Sequence, residues 1–132
     1  MRQVVARFTD GRTLKGTTSD FFPTKNCFHV SVATAPPGAQ PVEVRTKHLK
    51  ALFFVKDLEG NPEHTERKDF DPSLLPVGHR MRVECDDGEV LVGTTHGYQA
   101  GRQGFFLRPA DVASNNERCF VVLAGVKEAC FL

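Results

Sequence analysis

The stretch DGRTLKGTTSDFF at residues 10–22 returns as DGEVLVGTTHGYQ at residues 87–99. The offset is 77, and it holds without gaps to the end of the chain. Asp10, Gly11, Leu14, Gly16, Thr17 and Thr18 recur as Asp87, Gly88, Leu91, Gly93, Thr94 and Thr95. Phe28, Ala33, Lys50 and Phe54 recur as Phe105, Ala110, Lys127 and Phe131. Residues 2–55 and 79–132 therefore read as two copies of one unit. A long period present twice means a doubled small domain, not a solenoid.

Each unit reads as five strands. VVARFT alternates, with Val4, Ala6 and Phe8 on one face. Asp10-Gly11 and Asp87-Gly88 are two-residue hairpin signals of type I′, which needs positive φ at both central positions. Gly16 and Gly93 fall inside the second strand, where glycine marks a sharp bend or a close backbone approach. CFHVSV, VEVRT and KALFFV supply strands three to five, with KHL as a short 3₁₀ turn before the last. No segment carries a 3.6-residue apolar period.

Five short bent strands with a tight first hairpin and a one-turn helix before the last resemble the SH3-like small barrels, and most closely the Sm-like domains. The Sm-like first motif joins an Asp-Gly hairpin, a glycine bend and an asparagine ten residues later, which here are Asp10-Gly11, Gly16 and Asn26. Sm-like proteins place an aspartate where this chain has Phe22, and an Arg-Gly pair where it has Arg45-Thr46. The second copy has Gln99 and Gln103 at the Asp and Asn positions. The chain also resembles a bacterial family of tandem small barrels of unassigned function with DFFP and SNNER segments. The resemblance implies an all-β chain of two tandem five-stranded SH3/Sm-like barrels related by internal duplication: residues 1–55, a linker at 56–78, and residues 79–132.

The chain has 132 residues, 40% of them hydrophobic, and a net charge of +1, so it is no polycation built for nucleic acid or an anionic membrane. The sequence shows no signal peptide and no apolar run long enough for a membrane span, which predicts a cytoplasmic protein. Cys27, Cys85, Cys119 and Cys130 are scattered and read as reduced thiols. Charge is uneven. The first copy has eight basic and three acidic residues, the linker three and six, the second copy six and seven. Arg12, Lys15, Lys25, Arg45 and Lys47, with Phe21, Phe22 and Asn26, thus form a candidate anion or nucleic-acid surface.

Strand alternation exposes a second asymmetry. The face opposite the expected core is wet in the first copy but carries Val90, Val92, Phe106, Phe120 and Val122 in the second. An apolar face of that size needs a cover. The candidates are the first copy, the linker's Phe70 and Leu74, or another chain, and bent strands also let a residue serve the core from either face. The loop at Asn115, Asn116 and Arg118 is a candidate recognition tip, with Asn115-Asn116 suited to a positive-φ turn.

No motif for metal, cofactor or catalysis stands out. Cys27 and His29 share a strand face, but two ligands do not make a zinc site. The sequence therefore predicts no enzyme, no cofactor and no metal. It favours a non-catalytic binding or adaptor module working through a protein partner or a homodimer at the second unit. Binding of RNA or another single strand through the basic first unit is the alternative. Cyclic-dinucleotide binding comes third, because the R-x-x-x-R pair of PilZ barrels is absent and DPSLLPVG matches their second motif only at Asp71 and Ser73.

Overall fold

The structure is a computed structural model. It describes all residues except 61, 62, 65, 67, 69, 71–77, 98–101 and 112. The linker's Leu74 and Leu75, and Gln99 of the second copy, lie outside the described residues. The first half holds β1 (Arg2–Phe8), β2 (Thr13–Thr18), β3 (Cys27–Val32), β4 (Val42–Arg45) and β5 (Leu49–Val55), with a 3₁₀ turn at Thr46–His48. The second holds β6 (His79–Cys85), β7 (Val90–Thr95), β8 (Gly104–Pro109), β9 (Asn116–Val122) and β10 (Val126–Phe131), with a 3₁₀ turn at Leu123–Gly125. All pairings are antiparallel, and among the described residues there is no α-helix.

The five expected strands per half are present, but they belong to one ten-stranded sheet in the order β10-β6-β7-β8-β9-β5-β1-β2-β3-β4. The ladder runs through because β5 pairs with β9, with Leu52 opposite Phe120 and Phe53 opposite Cys119. Every other ladder repeats with the sequence offset. Val4 faces Gly16 as Met81 faces Gly93. His29 faces Glu43 as Phe106 faces Phe120. The break in register at Arg7/Phe8 recurs at its counterpart beside Val126.

The hairpins correct the expected turn type. Gly11 and Gly88 have φ of +92° and +90°, but no described non-glycine residue has positive φ, so Asp10 and Asp87 do not take the type I′ geometry. Instead the Gly11 N–H bonds the Phe8 carbonyl at 3.1 Å and the Phe8 N–H bonds the Arg12 carbonyl at 2.9 Å. This is a three-residue loop, a type I turn closed by a left-handed glycine. The aspartate accepts the N–H two residues on, 3.0 Å from Arg12 to Asp10 and 3.0 Å from Glu89 to Asp87.

β5 and β9 are two-faced, which explains the joint. All seven residues of β5 are buried. Leu49, Leu52 and Phe54 pack with Val4, Ala6, Phe28, Val30 and Val44, while Ala51, Phe53 and Val55 pack with Met81, Val83, Leu91 and Phe105. β9 reciprocates: Cys119 and Val121 face the second half's core, and Phe120 and Val122 enter the first half's. Each strand thus donates one face to its neighbour, at roughly 1.5–3 kcal/mol per large side chain buried.

A buried lysine locks the same joint. Lys50, 6% exposed, sends its ammonium 2.8 Å to Asp87 and 3.3 Å to Glu89 on the β6–β7 hairpin. Burial alone would pull its pKa down, but the bonds to Asp87 and Glu89 outweigh that and hold it above 10.5. The Lys50 contact, then the Glu89 N–H, hold Asp87 below 3.8. The joint's charge term is therefore complete between these limits. It is lost as pH falls below the ordinary aspartate value through Asp87's lowered one, and as pH rises above 10.5 through Lys50's raised one. Lys50→Ala should cost about 2 kcal/mol, because the partly exposed carboxylates rehydrate once the cation is gone. Urea unfolding at pH 7 tests that cost, and in Asp87→Asn the fall of stability between pH 4 and pH 2 should be shallower than in wild type.

Candidate anion-binding groove

Arg118 on β9 stands opposite Phe54 of β5. Its guanidinium carbon lies 4.7 Å from the Phe54 ring centre and 4.5 Å from that of Phe106 on β8. Phe106 in turn lies opposite Phe120, ring centres 5.2 Å apart, and Phe120 meets Phe21 at 5.2 Å. The pairing of three strands therefore builds an aromatic floor with one cation clamped to it, a contact worth about 0.5–2 kcal/mol.

Above that floor runs a groove of about 780 Å³, walled by Pro23, Thr24 and Asn26 of the β2–β3 connection and by residues 94–97 after the bend of β7. Arg102, Arg108 and Arg118 all line it. Among the described residues none of the three makes an ion pair, whereas Arg2 reaches Glu117 at 3.1 Å. Burial first, then the charge of Arg2, holds the Arg118 guanidinium below its ordinary value, with Arg108 adding to the effect and Glu117 opposing it. A partly desolvated cation beside like charges gains from an anion brought into the groove. Gln103 closes one end: its side-chain amide donates to the carbonyls of Pro23 and, at 2.8 Å, Lys25.

The eight residues of the first half's candidate surface do not form one patch. Arg12 is bound to Asp10 at 2.7 Å and lies over Phe8. Lys15 borders a separate depression with Arg7 and Glu89. Phe21 is half-buried in the aromatic cluster, while Phe22 is 51% exposed with the Lys25 ammonium 4.7 Å from its ring centre. Arg45 and Lys47 border a small depression with Asn26 and Gln103, and Arg45 also lies 3.9 Å from Glu43. Asn26 alone of the eight lines the large groove.

The second half's apolar residues divide. Val92, Phe120 and Val122 are buried, and Val90 and Phe106 are half-buried. Phe120 and Val122 are covered by the first half of the same chain. The Asn115-Asn116 turn is corrected: neither residue has positive φ. Asn115 is spent on the segment after β5, accepting the Asp57 N–H at 3.0 Å and donating to the Asp57 carbonyl at 2.7 Å. Asn116 begins β9. Of that loop only Arg118 reaches the groove.

The sequence reading does not mark Arg102 or Arg108 as part of a site. Alternation along β8 places Phe106 and Arg108 on one face, as it places Arg118 and Phe120 on one face of β9, and that signal was available. The second half's negative net balance conceals it, because net charge does not report which face carries the cations.

Other reactive groups have structural partners. His29 contacts Asp20 at 2.7 Å. Burial pushes the Cys85 thiol up to about 11 and raises Cys119 as well, which keeps both protonated at neutral pH. Among the described residues no three His, Cys, Asp or Glu side chains cluster as metal ligands, and no helix is long and apolar enough to cross a membrane.

The molecule is thus an all-β chain with one antiparallel sheet and an arginine-lined groove at its central joint. It belongs to DUF6982, a family of unknown function, whose pattern it matches over residues 1–132. No curated protein and no solved structure matches it.

Proposed function

We infer that the chain is a non-catalytic binding module that holds a single-stranded nucleic acid in the groove at its central joint. It is read as a duplicated pair of SH3/Sm-like units in the bacterial cytoplasm, the second docked on the first. The repeated ladder register supports the duplication. The observation that carries the binding reading is Arg118, clamped between Phe54 and Phe106 beside Arg102 and Arg108 with no carboxylate partner among the described residues. Arginine supplies phosphate-binding donors, and its planar guanidinium, backed by Phe54 and Phe106, offers a surface on which a base can stack. The adaptor reading loses its leading surface, because Phe120 and Val122 already face the first half.

Fluorescence anisotropy with a labelled mixed-sequence 12-nucleotide RNA tests this reading. Binding should weaken as salt rises, with a log–log slope of about −2 for three phosphate contacts. Arg118→Ala should weaken it about tenfold or more, while Lys15→Ala, outside the groove, should leave it within about twofold. Absence of binding at low salt, or indifference to Arg118→Ala and Arg108→Ala together, would remove the reading.

A further inference from the structure

The joint between the halves uses β5 of the first and β9 of the second. Their counterparts at the offset of 77 are β10 and β4, and these are the two strands left at the ends of the sheet. We propose that β10 of one chain pairs with β4 of another, so that copies of this protein join head to tail through an outer version of the inner joint.

Three observations carry it. First, the two edge strands are the offset counterparts of the joined pair, so the register of the joint can be transposed onto them. Leu52 opposite Phe120 and Phe53 opposite Cys119 transpose to Ala129 opposite Glu43 and Cys130 opposite Val42. Second, three of the five exposed large hydrophobic residues among the described residues lie on these edges, Met1 and Phe22 lying elsewhere. Val42 is 42% exposed, Phe131 56% and Leu132 66%, whereas their counterparts Cys119 and Phe54 are 2% and 3% exposed and Val55 is 6% exposed. An edge strand with exposed apolar side chains is a template for another strand. Third, half of the charge lock transposes. Lys50 and Asp87 become Lys127 and Asp10, both well exposed, while Glu89 becomes Arg12, which bonds Asp10 at 2.7 Å within its own chain.

The outer joint is weaker than the inner one, for reasons visible in the same register. Glu128 and Cys130 replace Ala51 and Phe53, and Glu43 and Arg45 replace Phe120 and Val122. Charged edge residues of this kind moderate strand addition. His48 stands where Gly125 lies, and a Cβ at Gly125 would fall 2.9 Å from the Lys50 Cα, so the outer strands cannot approach as closely as the inner pair at that point. Assembly is therefore reversible and rises with concentration. Because the joint is heterologous, it forms a ring if its rotation closes and a filament if it does not.

The test uses the full chain in native mass spectrometry and multi-angle light scattering, with a disulfide trap for the register. Residues opposite one another in an antiparallel pair have Cα atoms about 4.5–5.5 Å apart, within disulfide reach. Val42→Cys should therefore form an intermolecular disulfide with Cys130 under mild oxidation, seen as dimers and higher species on a non-reducing gel. Val42→Cys with Cys130→Ser should not. The proposal is overturned if the wild type stays monomeric at about 100 μM and the trap does not exceed its serine control. Cys130–Cys130 dimers as the main product would also overturn it, since they mean a symmetric edge contact.

Discussion

Gly93→Ala should destabilise the protein by about 3 kcal/mol or more and lower its melting temperature by about 10 °C or more. Gly93 has no positive φ, so its need for glycine is not conformational. A Cβ built there would lie 2.0 Å from the Arg108 carbonyl oxygen and 2.8 Å from its carbon. Both are backbone atoms of the neighbouring β8, and no rotamer change moves them away. The strand must separate from β8 just where Gly93 pairs with Pro109 and Thr94 with Arg108, the only rungs of that ladder among the described residues. Gly16→Ala should behave alike, its Cβ falling 2.1 Å from the Ser31 oxygen. Gly11→Ala is the control: nothing lies within 4 Å, so it bears only the strain of its φ of +92°, about 1 kcal/mol. Thermal unfolding of the three variants decides the matter. A Gly93→Ala melting point within about 2 °C of wild type would mean that β7 and β8 are not this close.

Those glycines were readable in the sequence because two copies placed them at the same distance from an Asp-Gly turn. Alternation gave the first half's core face of β1, Val4 and Ala6, but not the burial of Val5 between them, which packs on the opposite face with the second half's core. The turn type did not follow. Asp-Gly suits either a two-residue loop or a type I turn with a left-handed glycine, and the hydrogen bonds of Phe8 and Arg12 select the second. The joint was half legible. The apolar run of β5 and the apolar outer face of β9 each announced a strand buried on both sides, yet alternation cannot name the partner that buries it. The register between Leu52 and Phe120 depends on contacts 68 residues apart in sequence. The groove was least legible, because Arg102, Arg108 and Arg118 sit on separate segments and are cancelled in the net charge by carboxylates facing elsewhere.

Phe120→Ala should cost about 3–5 kcal/mol, and Glu43→Ala, at the matching rung of the first half, less than about 0.5. The two positions are related by the offset of 77 and occupy equivalent places in the β3–β4 and β8–β9 ladders. Their environments differ because β9 is paired on both sides, by β8 and β5, whereas β4 is paired only by β3 among the described residues. Phe120 is 1% exposed and packs among Val4, Leu52 and Phe54 of the first half, with its ring 5.2 Å from Phe21 and 5.2 Å from Phe106. Truncation leaves a cavity at the seam, where neither half can close it without shifting the β5–β9 register. Glu43 is exposed and lies on a free edge, so its removal exposes nothing new. Urea unfolding of both variants at pH 7 reads the contrast as a difference in midpoint. If the halves hold together chiefly through this seam, Phe120→Ala should also raise amide exchange in β5 and β9 more than in β2 and β3. A loss below about 1 kcal/mol for Phe120→Ala, or a Glu43→Ala loss of equal size, would show that the two halves do not share a core through β9.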